Sequence, residues 1–275
     1  MTTFIDSQSY PKSFIDQMGE ACLLPSKPKR IVSLVPSQTE LLFDLGLDEE
    51  VIGITKFCTH PIDNVKGVAK IGGTKKFDFE KIAQLKPDLI IGNKEENYLE
   101  GIDQLKQDYP VWMSDIVTLD DSLEMIEQIG VMVGFENIAI KMAENIKRST
   151  NDLVHNQNTR LNKTVAYFIW QKPYMVAGSD TFIDEMLKLC GLNNIFADQD
   201  RYPETTLEDL QKQKPEVVML STEPYPFKET HVKELQAQLP DSKVIIVDAM
   251  YFSWYGSRLM GTGDYLRSLI NKLSH

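Results

Sequence analysis

The chain has 275 residues, long for a single core and sufficient for two lobes of roughly 100 to 150 residues each. Its 42% hydrophobic and 25% charged residues exclude wholesale disorder, and 29 Lys and Arg against 40 Asp and Glu leave a formal charge of -11 that repels nucleic-acid phosphates. No run approaches the roughly 18 apolar residues that cross a bilayer. The first residues carry early acids and no apolar stretch of secretory length, so no export signal is expected. Cys22, Cys58 and Cys190 are isolated, which argues against a disulfide framework or a thiolate metal site.

In chain order, Arg30 to Val35 reads as a strand ended by Pro36-Ser37, and Thr39 to Leu45 has helical spacing up to Gly46. Val51 to Ile54 reads as a second strand, followed by a long loop from Thr55 to Lys76. Phe79 to Leu85 reads as a helix, Pro87-Asp88 ends it, and Leu89 to Gly92 is a third strand. Helix and strand alternate again through Leu99 to Leu105, Val111 to Met113 and Ser122 to Val133. From Asn137 to about Gln157 there is no Gly or Pro, and Ile138, Met142, Ile146 and Leu153 keep an apolar stripe. A helix of about twenty residues would run about 30 Å. The alternation then restarts with strands at Thr164 to Ile169, Glu216 to Leu220 and Val244 to Val247, and helices at Thr181 to Leu189 and about Gly263 to Leu273.

The expected architecture is α/β: two similar parallel-sheet lobes joined by one long helix, with the ligand cleft between the lobes. The N-terminal lobe is expected over residues 1–136, the linking helix over 137–158 and the C-terminal lobe over 159–275. An internal repeat supports the duplication. Phe79-Glu80-Lys81-Ile82 with Leu85-Lys86-Pro87-Asp88-Leu89-Ile90 returns 128 residues later as Leu207-Glu208-Asp209-Leu210 with Gln213-Lys214-Pro215-Glu216-Val217-Val218. Glu80 and Glu208 then hold equivalent places near helix starts, where the helix dipole favours an anion.

Ligands of open parallel sheets sit at the strand-to-helix loops. Those loops supply Pro36, Ser37, Phe57, His60, Asn93, Trp170, Tyr174, Tyr202, Phe252 and Trp254 as candidate ligand contacts. The set is aromatic and suits a broad, flat ligand better than a bare ion. His60, His155, His231 and His275 are scattered, so no multi-histidine metal site is expected.

The chain resembles the helical-backbone (class III) substrate-binding proteins of ABC importers, the group for cobalamin, ferric siderophores and haem, and looks most like its cobalamin-binding branch. The likeness covers about residues 16–273. It rests on Lys27-Pro28-Lys29-Arg30-Ile31-Val32-Ser33-Leu34 with Pro36-Ser37 and Thr39-Glu40, Ile71-Gly72-Gly73, Leu85 to Ile90, Trp170-Gln171-Lys172-Pro173-Tyr174, Cys190-Gly191, and Leu207-Glu208 with Lys214-Pro215. It implies capture of a corrinoid, or alternatively a ferric siderophore or haem, with Phe57 and Trp170 among the aromatic contacts. Thr74 and Asn93 stand where the cobalamin branch shows Trp. It further implies that Glu80 and Glu208 pair with Arg residues of a membrane permease, that the chain acts as a monomer, and that it works in the periplasm or cell envelope. The missing export signal leaves a cytosolic role open. The reading from another class is a cytosolic enzyme acting on a tetrapyrrole or metal chelate. The chain has no G-x-S-x-G, P-loop or H-E-x-x-H motif, so no enzyme is expected.

Overall fold

Two segments with the same order of helix, Lys-Pro turn and strand organise the chain, and a computed structural model describes the chain over residues 10–155 and 161–274. The chain divides into two compact units. The first comprises Met1–Asp115, Asp121–Ala143 and Tyr255–Ser257, and the second Ile116–Asp120, Glu144–Trp254 and Arg258–His275.

In the first unit, β1 (Lys12–Ile15) and β2 (Ala21–Leu24) form an antiparallel hairpin. Asp16 closes its turn by accepting the Met18 and Glu20 amides at 3.0 and 2.8 Å. There follow β3 (Ile31–Ser33), α1 (Pro36–Asp44), β4 (Val51–Ile54), β5 (Ala69–Lys70), β6 (Gly72–Gly73), β7 (Lys76–Phe77) and α2 (Phe79–Leu85). β8 (Leu89–Asn93), α3 (Leu99–Lys106), β9 (Val111–Ser114) and α4 (Leu119–Val133) complete it, apart from the start of α5 (Glu136–His155). The main sheet runs β5-β4-β3-β8-β9, all parallel, and β6 pairs with β7 as a separate hairpin. The expected strand at Arg30 to Val35 is shorter, because Pro36 opens α1 at its first turn instead of merely ending the strand. A proline fits there since the first helical amides have no partner to lose.

The second unit contains the rest of α5, then β10 (Thr164–Trp170), β11 (Tyr174–Val176), α6 (Phe182–Leu189), β12 (Asn193–Asn194), β13 (Glu204–Thr205) and α7 (Leu207–Gln213). β14 (Val217–Ser221), α8 (Glu229–Gln238), β15 (Lys243–Val247), α9 (Met250–Ser253) and α10 (Thr262–Ser274) follow. Its sheet runs β13-β11-β10-β14-β15, with β12 also on β10; β10, β14 and β15 are parallel and β11 and β13 antiparallel. The long helix begins one residue before the expected start. Residues 156–158 of the expected linker lie outside the described residues, as do the side chain of His155 and all of His275.

The repeat is a repeat of structure. α2 and α7 are both seven residues long, capped by Asp78 and Thr206, which accept the Lys81 and Asp209 amides at 3.1 Å. Both end on a lysine in the left-handed region, Lys86 (φ 48°) and Lys214 (φ 49°), with Pro87 or Pro215 next to bar further helix. The acid after each proline ties the turn to the neighbouring strand. Asp88 accepts the Lys29 and Arg30 amides at 2.9 and 2.8 Å, and Glu216 accepts the Thr164 amide at 2.9 Å. β8 and β14, which follow, are buried along their whole length, as parallel strands covered on both faces must be.

Candidate functional site

In the first unit the loop after β4 and the β6-β7 hairpin define an open groove of about 920 Å³, lined by Lys56, Phe57, Gly72 to Phe79 and Glu80. Phe57 is 51% exposed, with the Lys56 ammonium 5.0 Å from its ring centre. Two glycines shape the hairpin beside it, one at the turn and one against the ring. Gly72 has φ +104°, and a Cβ there would lie 2.4 Å from the Lys76 carbonyl oxygen; a Cβ on Gly73 would meet the Phe57 ring at 3.3 Å. The Ile71-Gly72-Gly73 motif is therefore the backbone solution that turns the hairpin beneath Phe57.

The hairpin is fixed by the loop after β8. Asn97 accepts the Asn93 amide at 2.9 Å and donates to the Thr74 carbonyl at 3.1 Å, while Lys75 Nζ donates to the Glu95 and Asn97 carbonyls at 2.6 and 3.2 Å. Asn93 itself is 1% exposed. Its Nδ2 donates to Ser114 Oγ at 2.9 Å and its Oδ1 accepts the Glu95 and Glu96 amides. That network uses the side chain internally, so Asn93 shapes the loop and offers a ligand no surface. Ser37 is likewise buried, and Pro36 and His60 are half-buried, with Thr59 Oγ1 3.0 Å from His60 Nδ1. Cys58 lies in the core of this loop, held by Thr39 and Thr55, and burial pushes its thiol up in pKa despite those bonds.

In the second unit Trp170 ends β10 at 40% exposure and stands edge-on to Tyr225 at 5.6 Å. The Tyr225 hydroxyl donates to Gln171 Oε1 at 2.7 Å, which fixes the turn that carries Trp170. Tyr174 packs edge-on to Phe168 at 5.4 Å, and the Arg201 guanidinium lies 5.7 Å from the Tyr202 ring; both tyrosines are half-buried. Phe252 is fully buried, 5.1 Å from Tyr167, and belongs to the core beneath the loop. Trp254 is 7% exposed: its Nε1 donates to Glu223 Oε1 at 2.5 Å and the Arg258 guanidinium lies 5.5 Å from its ring.

Glu223, Tyr225 and Arg258 escaped the sequence reading. Burial pushes the Glu223 carboxyl above its ordinary value, an effect the Trp254 bond opposes, Asp248 reinforces and Arg258 opposes. Their only signal was position: Glu223 follows the last residue of β14 by two, as the chain leaves the sheet. Glu80 and Glu208 are both exposed in the first turns of α2 and α7; Glu208 pairs with Lys212 at 2.8 Å. Among the described residues no group of three or more His, Cys, Asp and Glu is placed to hold a metal ion, and no helix is long and apolar enough to cross a membrane.

Two α/β units built on one plan, each with aromatic loops at the carboxyl ends of its parallel strands, define the class. The family model described as Periplasmic binding protein matches residues 31–241, and the chain belongs to that family. It is 30% identical over 223 residues to the "Uncharacterized ABC transporter substrate-binding lipoprotein YvrC" of Bacillus subtilis, covering 78% of this chain and 70% of that one. To the vitamin B12-binding protein of Pectobacterium carotovorum it is 25% identical over 252 residues, 90% of each chain. Among solved structures, the periplasmic vitamin B12 binding protein BtuF of Vibrio cholerae matches with a TM-score of 0.77 over 90% of this chain and 98% of that one, at 22% identity. The periplasmic heme-binding protein RhuT from Roseiflexus sp. RS-1 matches with a TM-score of 0.76 over the same shares, at 23% identity. These two structural likenesses show the fold.

Proposed function

We propose that the chain is the substrate-binding protein of an ABC importer, capturing a corrinoid and delivering it to a membrane permease at the cell envelope. The observation that carries this reading is the exposure of Phe57 and Trp170, each held up at the carboxyl end of a parallel sheet by its own supporting structure. Large aromatics left 51% and 40% exposed at such loops offer flat apolar area to a planar ring system. Pro36, His60, Tyr174 and Tyr202 extend the contact set at the half-buried level, while Ser37, Asn93, Phe252 and Trp254 support it from below. The relatives named for vitamin B12 favour a corrinoid; the heme-binding neighbours keep haem, or a ferric siderophore, as the second reading.

Glu80 and Glu208, at matching places in the two halves of the repeat, are the acids assigned to permease arginines. Exposed charge pairs of this kind set orientation and encounter rate. The function needs no chemistry from the chain, and the protein works as a monomer. The test is a titration of purified protein with cyanocobalamin, hemin and a ferric catecholate, followed by absorbance and tryptophan fluorescence. Saturable one-to-one binding without product supports the reading. Turnover of any of the three, or silence with all, refutes it.

A further inference from the structure

The chain carries a formal charge of -11, yet residues 55–76 hold five lysines against a single acid, Asp63. Two of those lysines lie outside the groove around Phe57: Lys66 pairs with Asp63 at 2.8 Å, and Lys70 Nζ donates to the Val65 carbonyl at 3.2 Å. The other three, Lys56, Lys75 and Lys76, all line the groove around Phe57. Lys75 is held by two carbonyl oxygens, which fix its position without neutralising it. Of the two acids in the groove, Asp78 caps α2 and pairs with Lys81 at 3.1 Å, and Glu80 lies at the start of the helix.

A flat aromatic surface in a groove lined by three lysines, with the Lys56 ammonium 5.0 Å from the ring centre, on a protein otherwise strongly acidic, favours negative charge on what covers it. We infer that this groove receives an anionic oxygen group of the captured chelate, so that the protein discriminates ligands by charge as well as by ring shape. This rests on the proposed capture function. The same chemistry is presented by the phosphodiester of a corrinoid's nucleotide arm and by the propionate carboxylates of a porphyrin.

Four ligands separate these sources: cobalamin and cobinamide, both in excess cyanide so that their axial ligands match, and hemin beside its dimethyl ester. The expected result is tighter binding of the charged member of at least one pair by about tenfold, the size of one charge-assisted contact. That preference falls as salt rises and is lost in Lys56→Gln/Lys76→Gln, which loses more affinity for the charged member than for the uncharged one while its melting temperature stays that of wild type. The cobalamin pair responding points to the phosphodiester, the hemin pair to the carboxylates. Equal affinity within both pairs, or a preference that survives the double substitution, overturns the charge inference and leaves the capture function standing. Failure of all four to bind overturns both.

Discussion

Replacing Trp170 by alanine separates a ligand contact from a packing residue, because the two roles have different costs. An aromatic side chain of this size buries up to about 250 Å², so 40% exposure leaves on the order of 100 Å² for a ligand to cover. At about 25 cal/mol per Å², full cover is worth about 2.5 kcal/mol and half cover about 1.2 kcal/mol. Affinity for cyanocobalamin should therefore fall by roughly 8- to 70-fold. The stability cost is separate and larger: the remaining buried area of about 150 Å² is worth up to about 3.8 kcal/mol by the same rule, and the edge-on contact with Tyr225 at 5.6 Å adds about 0.5 to 1.5 kcal/mol. Calorimetric titration measures the first effect and thermal unfolding the second, with Trp170→Phe as the variant that keeps part of the surface. An unchanged dissociation constant in Trp170→Ala would refute the placement of this side chain against the ligand.

Gly72→Ala should destabilise the protein by about 1 to 3 kcal/mol, because φ +104° is strained for any side chain and the added carbon sits 2.4 Å from the Lys76 oxygen; a melting curve within a degree of wild type would contradict this. Asp88→Asn and Glu216→Gln should each cost about 1 kcal/mol, since both acids accept backbone amides at the start of a neighbouring strand; urea titration should show similar losses, and a neutral result for either breaks the structural equivalence. Glu208→Arg, which lies outside the groove around Phe57, should sharply reduce uptake in cells while leaving ligand affinity unchanged, and the loss of the exposed Glu208-Lys212 pair should cost at most about 0.5 kcal/mol; lost ligand binding would contradict the docking role. Glu223 binds its proton more tightly folded than unfolded, so its contribution is intact below its ordinary value near 4.5 and stability is lost as pH rises from there through the raised folded value. Glu223→Gln should remove that loss, its melting temperature gaining on wild type between pH 4 and pH 7; parallel curves would refute the burial argument.

What the sequence made legible was the central part of each unit. The apolar runs of β8 and β14, flanked by Lys-Pro and an acid, are fixed by local rules: a proline that ends a helix and a buried parallel strand that must be apolar throughout. The β1-β2 hairpin was not legible: its strands are four residues each, and although their burial alternates, Lys12-Ser13-Phe14-Ile15 and Ala21-Cys22-Leu23-Leu24 do not alternate in hydrophobicity. α8 was missed because Glu229 to Gln238 is polar over most of its length and buries Leu235 alone. At the loops, order along the chain told which residues follow a strand but not which way they face. Phe57 and Phe252 both follow strands; one is 51% exposed and the other fully buried, because Phe252 turns into α9 and packs on Tyr167 and Tyr265. Asn93 looked like a loop residue facing solvent, yet its amide is consumed by Ser114 and by two backbone amides of its own turn.

Hydrogen exchange of the full chain with and without saturating cyanocobalamin is the most direct test of where capture happens. The account predicts slowed exchange in residues 55–60 and 72–78 of the first unit and 170–174 and 200–203 of the second, with the hairpin at Lys12–Leu24 unchanged. Protection confined to that hairpin, or to one unit alone, would contradict it.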